Sequence, residues 1–164
     1  MNSKQLKLKI VTPERLILEE MVDQVSMPST LGEITILPDH IPLITGLTSG
    51  DIVAFVNGEQ VPMAVVGGFV EVKSRRLEGS GPRPNASGKN DEYITEVAVL
   101  ADFAEPVSEL TDAAIEKAKA RAEELKRMME NKEVVDFEHF EAELERSLTR
   151  VRIADKWRTR KYRK

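Results

Sequence analysis

Gly32-Glu33-Ile34-Thr35-Ile36-Leu37-Pro38-Asp39-His40-Ile41-Pro42-Leu43 decides how this chain is read. Gly32 supplies a backbone that turns without a steric penalty, and Ile34 and Ile36 flank a polar residue with the two-residue period of a half-buried strand. Pro38 ends that strand, because its ring nitrogen cannot donate to a ladder. Outward from this segment the same punctuation recurs. Leu6, Leu8 and Ile10 alternate with Lys7 and Lys9, and the runs 51–56 and 60–66 flank Asn57-Gly58, the strongest two-residue hairpin signal. Gly67-Gly68 breaks the chain before Phe69-Val70-Glu71-Val72, and residues 93–101 supply a last strand rich in β-formers (Ile94, Thr95, Val97, Val99). Many short strands with Gly and Pro turns predict a small antiparallel sandwich or barrel.

The helical period takes over after residue 105. Leu110, Ala114, Ala118, Ala122, Leu125 and Met129 recur at three- and four-residue steps, as do Phe137, Phe140, Leu144, Leu148 and Val151. Asn131-Lys132-Glu133 separates the two runs and Asp136 can cap the second, so they should fold back as an antiparallel hairpin. In that pairing the alanine seam allows close approach, with Phe137 and Phe140 as bulk opposite it. The expected organisation is an N-terminal β-sandwich over 1–104 followed by a two-helix hairpin with a basic tail over 105–164.

Between the last two strands, residues 75–92 contain Gly79-Ser80-Gly81-Pro82-Arg83-Pro84 and little that can be buried, which predicts a flexible insertion. Gly81 to Lys89 mimics a phosphate loop, but six residues separate the glycines where four are needed, and Asn90 replaces the magnesium-holding hydroxyl.

Composition narrows the chemistry. The 164 residues are 41% apolar, enough for a moderate core, and contain no cysteine, so disulfides and thiolate metal sites are excluded. His40 and His139 lie far apart, and no nucleophile, carboxylate pair or metal cluster stands out, so neither catalysis nor a resident metal is expected. The N-terminus runs straight into a strand pattern with no signal or transit segment, the reading of a protein on the cytoplasmic side of whatever membrane it serves. The net charge of −4 conceals a basic C-terminus: nine Lys or Arg against Asp155 from Arg146 onward. The helix dipole favours cations there but does not account for a run this long, which asks for an acidic partner. A nucleic-acid-binding tail, with Trp157 and Tyr162 as stacking groups, is the competing reading, opposed by the acidic remainder.

The Gly32 to Leu43 segment resembles the GELGIxPxHxPL stretch of the epsilon subunit family of F-type ATP synthases (delta in mitochondria). Gly67-Gly68-Phe69-Val70-Glu71-Val72 is similar to that family's GGFxEV, and Val97-Ala98-Val99-Leu100-Ala101-Asp102-Phe103-Ala104 to its VxVLADxA strand. Val11-Thr12-Pro13-Glu14 and the run 117–124 extend the likeness over most of the chain. The resemblance implies a ten-stranded sandwich and a helical hairpin in the central stalk of the rotary enzyme, at the cytoplasmic face of the cell membrane. It implies a non-catalytic subunit that binds gamma and the polar loops of the c-ring for rotary coupling, while the helices inhibit ATP hydrolysis. Thr12, Glu33 and His40 become candidates for the stalk interface. Arg146, Arg150 and Arg152 become candidates for contact with an acidic segment of the beta subunits when the hairpin extends. Some bacterial relatives bind ATP through an I/L-D-x-x-R-A motif. Here Leu110 takes the first position, but Thr111, Ala114 and Ile115 replace the aspartate, arginine and alanine, so no nucleotide cofactor is expected.

Overall fold

The computed structural model describes residues 4–76, 93–131 and 136–161. Among them ten strands precede two helices: β1 Leu6–Val11, β2 Leu16–Val22, β3 Gln24–Ser29, β4 Gly32–Ile36, β5 Leu43–Gly46, β6 Gly50–Val56, β7 Glu59–Val66, β8 Phe69–Arg76, β9 Tyr93–Leu100, β10 Phe103–Pro106, α1 Asp112–Glu130 and α2 Phe137–Lys161. The expected β-sandwich followed by a helical hairpin is the observed architecture. The flexible insertion read at 75–92 lies outside the described residues, apart from Arg75 and Arg76 at the end of β8.

The strands form two five-stranded sheets, ordered β2-β1-β9-β8-β5 (the first sheet) and β10-β7-β6-β3-β4 (the second). Their inner faces make the core. Leu6, Leu8 and Ile10 from β1, Val97 and Val99 from β9, and Val70 and Val72 from β8 meet Val25, Met27, Ile36, Ile52, Met63 and Val65 from the second sheet. Each such side chain taken fully out of water contributes about 1.5–3 kcal/mol. β1 pairs in parallel with β9, Ile10 opposite Val99, whereas the other paired strands run antiparallel.

The local signals translate into turns as expected. Asn57 and Gly58 both have positive φ, 52° and 82°, the backbone of a tight hairpin between β6 and β7. β4 stops at Ile36, and Leu37 to His40 makes a turn in which Asp39 takes φ 65° and the His40 amide donates to the Leu37 carbonyl. Gly68, at φ 109°, is needed for a second reason: a Cβ there would sit 2.1 Å from the Leu100 carbonyl oxygen. Only glycine lets β8 start this close to the end of β9.

Two helical details differ from the periodic reading. Leu110 precedes α1 at the end of a one-turn 3₁₀ helix (Val107–Glu109), where it is still buried, and Thr111 is the N-cap, its hydroxyl accepting from the Ala114 amide at 3.2 Å. Ile115, not Ala114, joins Ala118, Ala122 and Leu125 on the buried stripe of α1. On α2, Phe137 and Leu148 are exposed, so Phe137 does not supply bulk opposite the alanine seam; the buried positions are Ser147, Thr149, Ile153 and Ala154. Small residues occupy this face because it lies against a second helix and a sheet at once. Asp136 caps α2 as expected, accepting from the His139 amide at 3.1 Å.

Candidate functional site

The hairpin folds down onto the sandwich, and its docking surface is built by strand register. Asp51 on β6 lies opposite Ala64 on β7, and Ala64 opposite Glu105 on β10, so the three side chains form one row on the outer face of the second sheet. Val66 and Phe103, also register partners, form the next row. Ala64 is fully buried and Val66 nearly so although both point away from the sandwich core, because α2 covers them.

The basic residues of α2 meet acceptors on this face. Arg150 Nε donates to Glu105 at 2.6 Å, with its guanidinium 4.7 Å from the Phe103 ring centre. Arg146 lies over the same ring at 5.8 Å and donates to the Asp102 carbonyl at 3.4 Å. Arg152 donates to the Ser49 carbonyl at 3.2 Å, while the Ser49 hydroxyl donates to Glu145. Lys156 reaches both oxygens of Asp51 at 2.7 and 2.8 Å, Trp157 donates its indole N–H to the same carboxylate at 2.9 Å, and Arg158 pairs with Asp112. For Arg150, Lys156 and Arg158 the acidic partner is, in this conformation, the chain's own sandwich and helix start. The nucleic-acid reading needs Trp157 as an outward stacking platform, whereas the indole is half-buried and turned to Asp51; Tyr162 lies outside the described residues.

Between α1, α2 and β10 lies a cleft of about 940 Å³, lined by Phe103, Arg121, His139, Glu143, Arg146 and Arg150 among others. Arg121 bridges the helices, donating to both oxygens of Glu143 at 2.8 and 3.1 Å and to Glu124 at 2.7 Å. The hydrogen bond from Arg121 holds the Glu143 carboxyl below the usual glutamate range against a smaller opposing effect of burial, and bonding to Glu143 and Glu124 in turn raises the guanidinium. The three positions that depart from the ATP motif have structural occupations: Thr111 caps α1, Ile115 is core, and half-buried Ala114 lines the cleft.

The sandwich candidates are spread apart. Thr12 is buried and spent on its own turn, exchanging hydrogen bonds with the Arg15 backbone at 3.2 and 3.3 Å. Glu33 is exposed, inside β4 opposite Pro28 and not at the loop tip; the tip is Thr30-Leu31, with Leu31 90% exposed. His40 is half-buried, its Nδ1 donating to the Ile41 carbonyl at 2.7 Å. A feature that the sequence reading missed lies on the outer face of the first sheet. Leu16, Val11, Leu100 and Phe69 are successive register partners across four strands, with Ile44 beside them on β5. Leu16, Leu100, Phe69 and Ile44 are 51%, 58%, 65% and 73% exposed, an apolar band on an otherwise charged face. The alternation was visible, but which strands align their outward apolar residues depends on register.

A sandwich with an uncovered apolar band on one outer face and a charge-docked hairpin on the other presents a surface of the kind that proteins use for contact with a partner. A family model described as "ATP synthase, Delta/Epsilon chain, beta-sandwich domain" matches residues 5–78. The chain is 36% identical over 150 residues to the ATP synthase epsilon chain of Nitratidesulfovibrio vulgaris, covering 92% of this chain and 96% of that one. It is 37% identical over 156 residues to the epsilon chain of Dehalococcoides mccartyi, covering 94% and 95%. The fold is similar to a chain in the mitochondrial ATP synthase of Euglena gracilis (OSCP/F1/c-ring), with TM-score 0.56 and 18% identity over 94% of this chain and 80% of that one. The chain belongs to the ATP synthase epsilon chain family, whose members are subunits of the synthase and not its catalytic ones. No described helix is long and apolar enough to cross a membrane.

Proposed function

We propose that this subunit joins gamma to the c-ring in the central stalk, peripherally at the cytoplasmic face of the cell membrane, and that its hairpin restrains ATP hydrolysis. The observation that carries the coupling half is the apolar band Leu16-Leu100-Phe69-Ile44: a surface this apolar asks for a partner, and gamma is the one that the family relationship offers. The exposed tip at Leu31, with Glu33 behind it, is suited to the polar loops of the c-ring, Leu31 by contact and Glu33 by charge. In the released state Arg146, Arg150 and Arg152 are freed from the sandwich and become available to the acidic segment of the beta subunits.

The test uses the reconstituted complex. Phe69→Ser with Ile44→Ser removes two apolar contacts and is expected to weaken gamma binding by at least roughly tenfold. Gamma binding at the parental level would sink the assignment. A chain ending at Leu110 keeps β10 and removes the hairpin; hydrolysis is expected to rise while gamma still binds. Unchanged hydrolysis would reject the regulatory half and leave the coupling half standing.

A further inference from the structure

The row Asp51-Ala64-Glu105 has a spacing that α2 matches. Neighbouring strands lie about 4.8 Å apart, so β6 and β10, on either side of β7, are roughly 9.6 Å apart. Along α2, Arg150 precedes Lys156 and Trp157 by six and seven positions, a rise of roughly 9–10.5 Å. The helix therefore spans the strands with one cationic group over each carboxylate: Arg150 on Glu105, and Lys156 with Trp157 on Asp51. Ala64 lies between them, fully buried, with no side chain beyond Cβ to hold the helix off. Both carboxylates are well sheltered, at 12% and 19% exposure for Asp51 and Glu105.

We propose that this row is a two-point latch setting the docked position of α2, and that Asp51 is its positioning residue. A single carboxylate takes both Lys156 and Trp157, so it fixes the helix along its length and about its axis together. Sliding α2 by one turn, about 5.4 Å, would bring Arg146 over Glu105 and Arg152 over Asp51 but put Ile153 in the place of Trp157, so the indole bond to Asp51 is what distinguishes the docked register. Ala64 and Val66 lie beneath it, and the adjoining cluster of Leu110, Ile115, Ala154, Val107 and Val151 supplies apolar contact, so the charged row serves to set the position of the docked helix. The proposal bears on the regulatory reading above because it concerns what holds the hairpin down, but it is measured on the isolated chain.

The chain has no cysteine, so one introduced thiol reports alone. Thr149 is 2% exposed and lies on the stripe of Glu145, Arg152 and Lys156, which reaches Ser49 and Asp51. In a Thr149→Cys background, the rate of labelling by a thiol reagent reads the released fraction. Asp51→Asn is expected to raise that rate roughly tenfold and Lys156→Met severalfold, as befits loss of a sheltered charge-assisted hydrogen bond. The double variant should label no faster than Asp51→Asn, since both remove one contact. Parental rates in either single variant, or rates that multiply in the double, would overturn the latch. If circular dichroism shows that Asp51→Asn disturbs the sandwich, Lys156→Met, which alters α2 alone, decides the matter. Faster labelling with unchanged hydrolysis in the complex would keep the latch and reject the regulatory role of the hairpin.

Discussion

Replacing Gly68 by alanine separates two demands that a Gly-Gly pair usually confounds. At φ 109° an L-residue is strained by about 1–3 kcal/mol, since this region is close to glycine-only. The new Cβ would also meet the Leu100 oxygen at 2.1 Å and the Ala101 Cα at 2.7 Å, both backbone atoms that cannot rotate away. Restoring an ordinary contact requires β8 to retreat by roughly 1 Å, which weakens the Phe69 to Leu100 pairing and the Leu47 amide bond to the Gly68 carbonyl, at about 1–3 kcal/mol for a buried backbone group left unpaired. The expected cost is about 3–5 kcal/mol. At Gly67, φ is 57° and the nearest obstacle is the Asp102 carboxylate, a side chain free to move, so Gly67→Ala should cost only about 1–2 kcal/mol. Urea unfolding checks this: with a slope of about 2 kcal/mol per molar, the midpoint should fall by about 2 M for Gly68→Ala and less than about 1 M for Gly67→Ala. Equal shifts, or the reverse order, would refute the close-approach argument.

Arg150→Met leaves Glu105 without its partner and removes the cation from the Phe103 ring; a loss of about 2 kcal/mol in hairpin docking is expected, read by calorimetric unfolding, and Phe103→Leu should cost less. Glu143 has a depressed folded pKa, so its contribution to holding α1 against α2 is present above the ordinary glutamate range and is lost as pH falls through the folded value. Helix-pair nuclear Overhauser contacts should weaken on acidification, and Glu143→Gln should remove most of that dependence; an unaltered pH profile would contradict the assignment. Thr111→Ala removes the N-cap of α1 and should lower stability by about 1 kcal/mol, whereas Thr111→Asp should retain it, as thermal melts would show.

Much of the architecture was legible because its signals are local. Asn57-Gly58, Pro38 and Gly67-Gly68 mark turns through backbone constraints that need no partner, and the alternation in β1, β6 and β9 states which side chains go inward. Helical period placed α1 and α2, but it over-credited large apolar residues: Phe137 and Leu148 fit the period and remain exposed, while Ser147 and Thr149 are buried. Periodicity cannot register that α2 faces a polar row. The basic tail was plain in the sequence, whereas its acceptors were not, since Asp51 and Glu105 lie far apart along the chain and become neighbours only across β7. The apolar band is hidden in the same way. Leu16, Leu100 and Phe69 each look like an ordinary strand residue until the register stacks them.

The parallel pairing of β1 with β9 constrains how the molecule can be made. β1 sits in the interior of its sheet, yet one of its two neighbours leaves the ribosome some ninety residues later. Until then Leu6, Leu8 and Ile10 have one strand beside them in place of two, and closing so long a loop is entropically costly and slow. In the second sheet four strands, β3, β4, β6 and β7, fall within residues 24–66 with only β5 between them, and the late strand, β10, is at the sheet's edge. The topology predicts that the four-stranded part of the side that will carry the hairpin can pair first, while β1 gains its second neighbour only when β9 arrives.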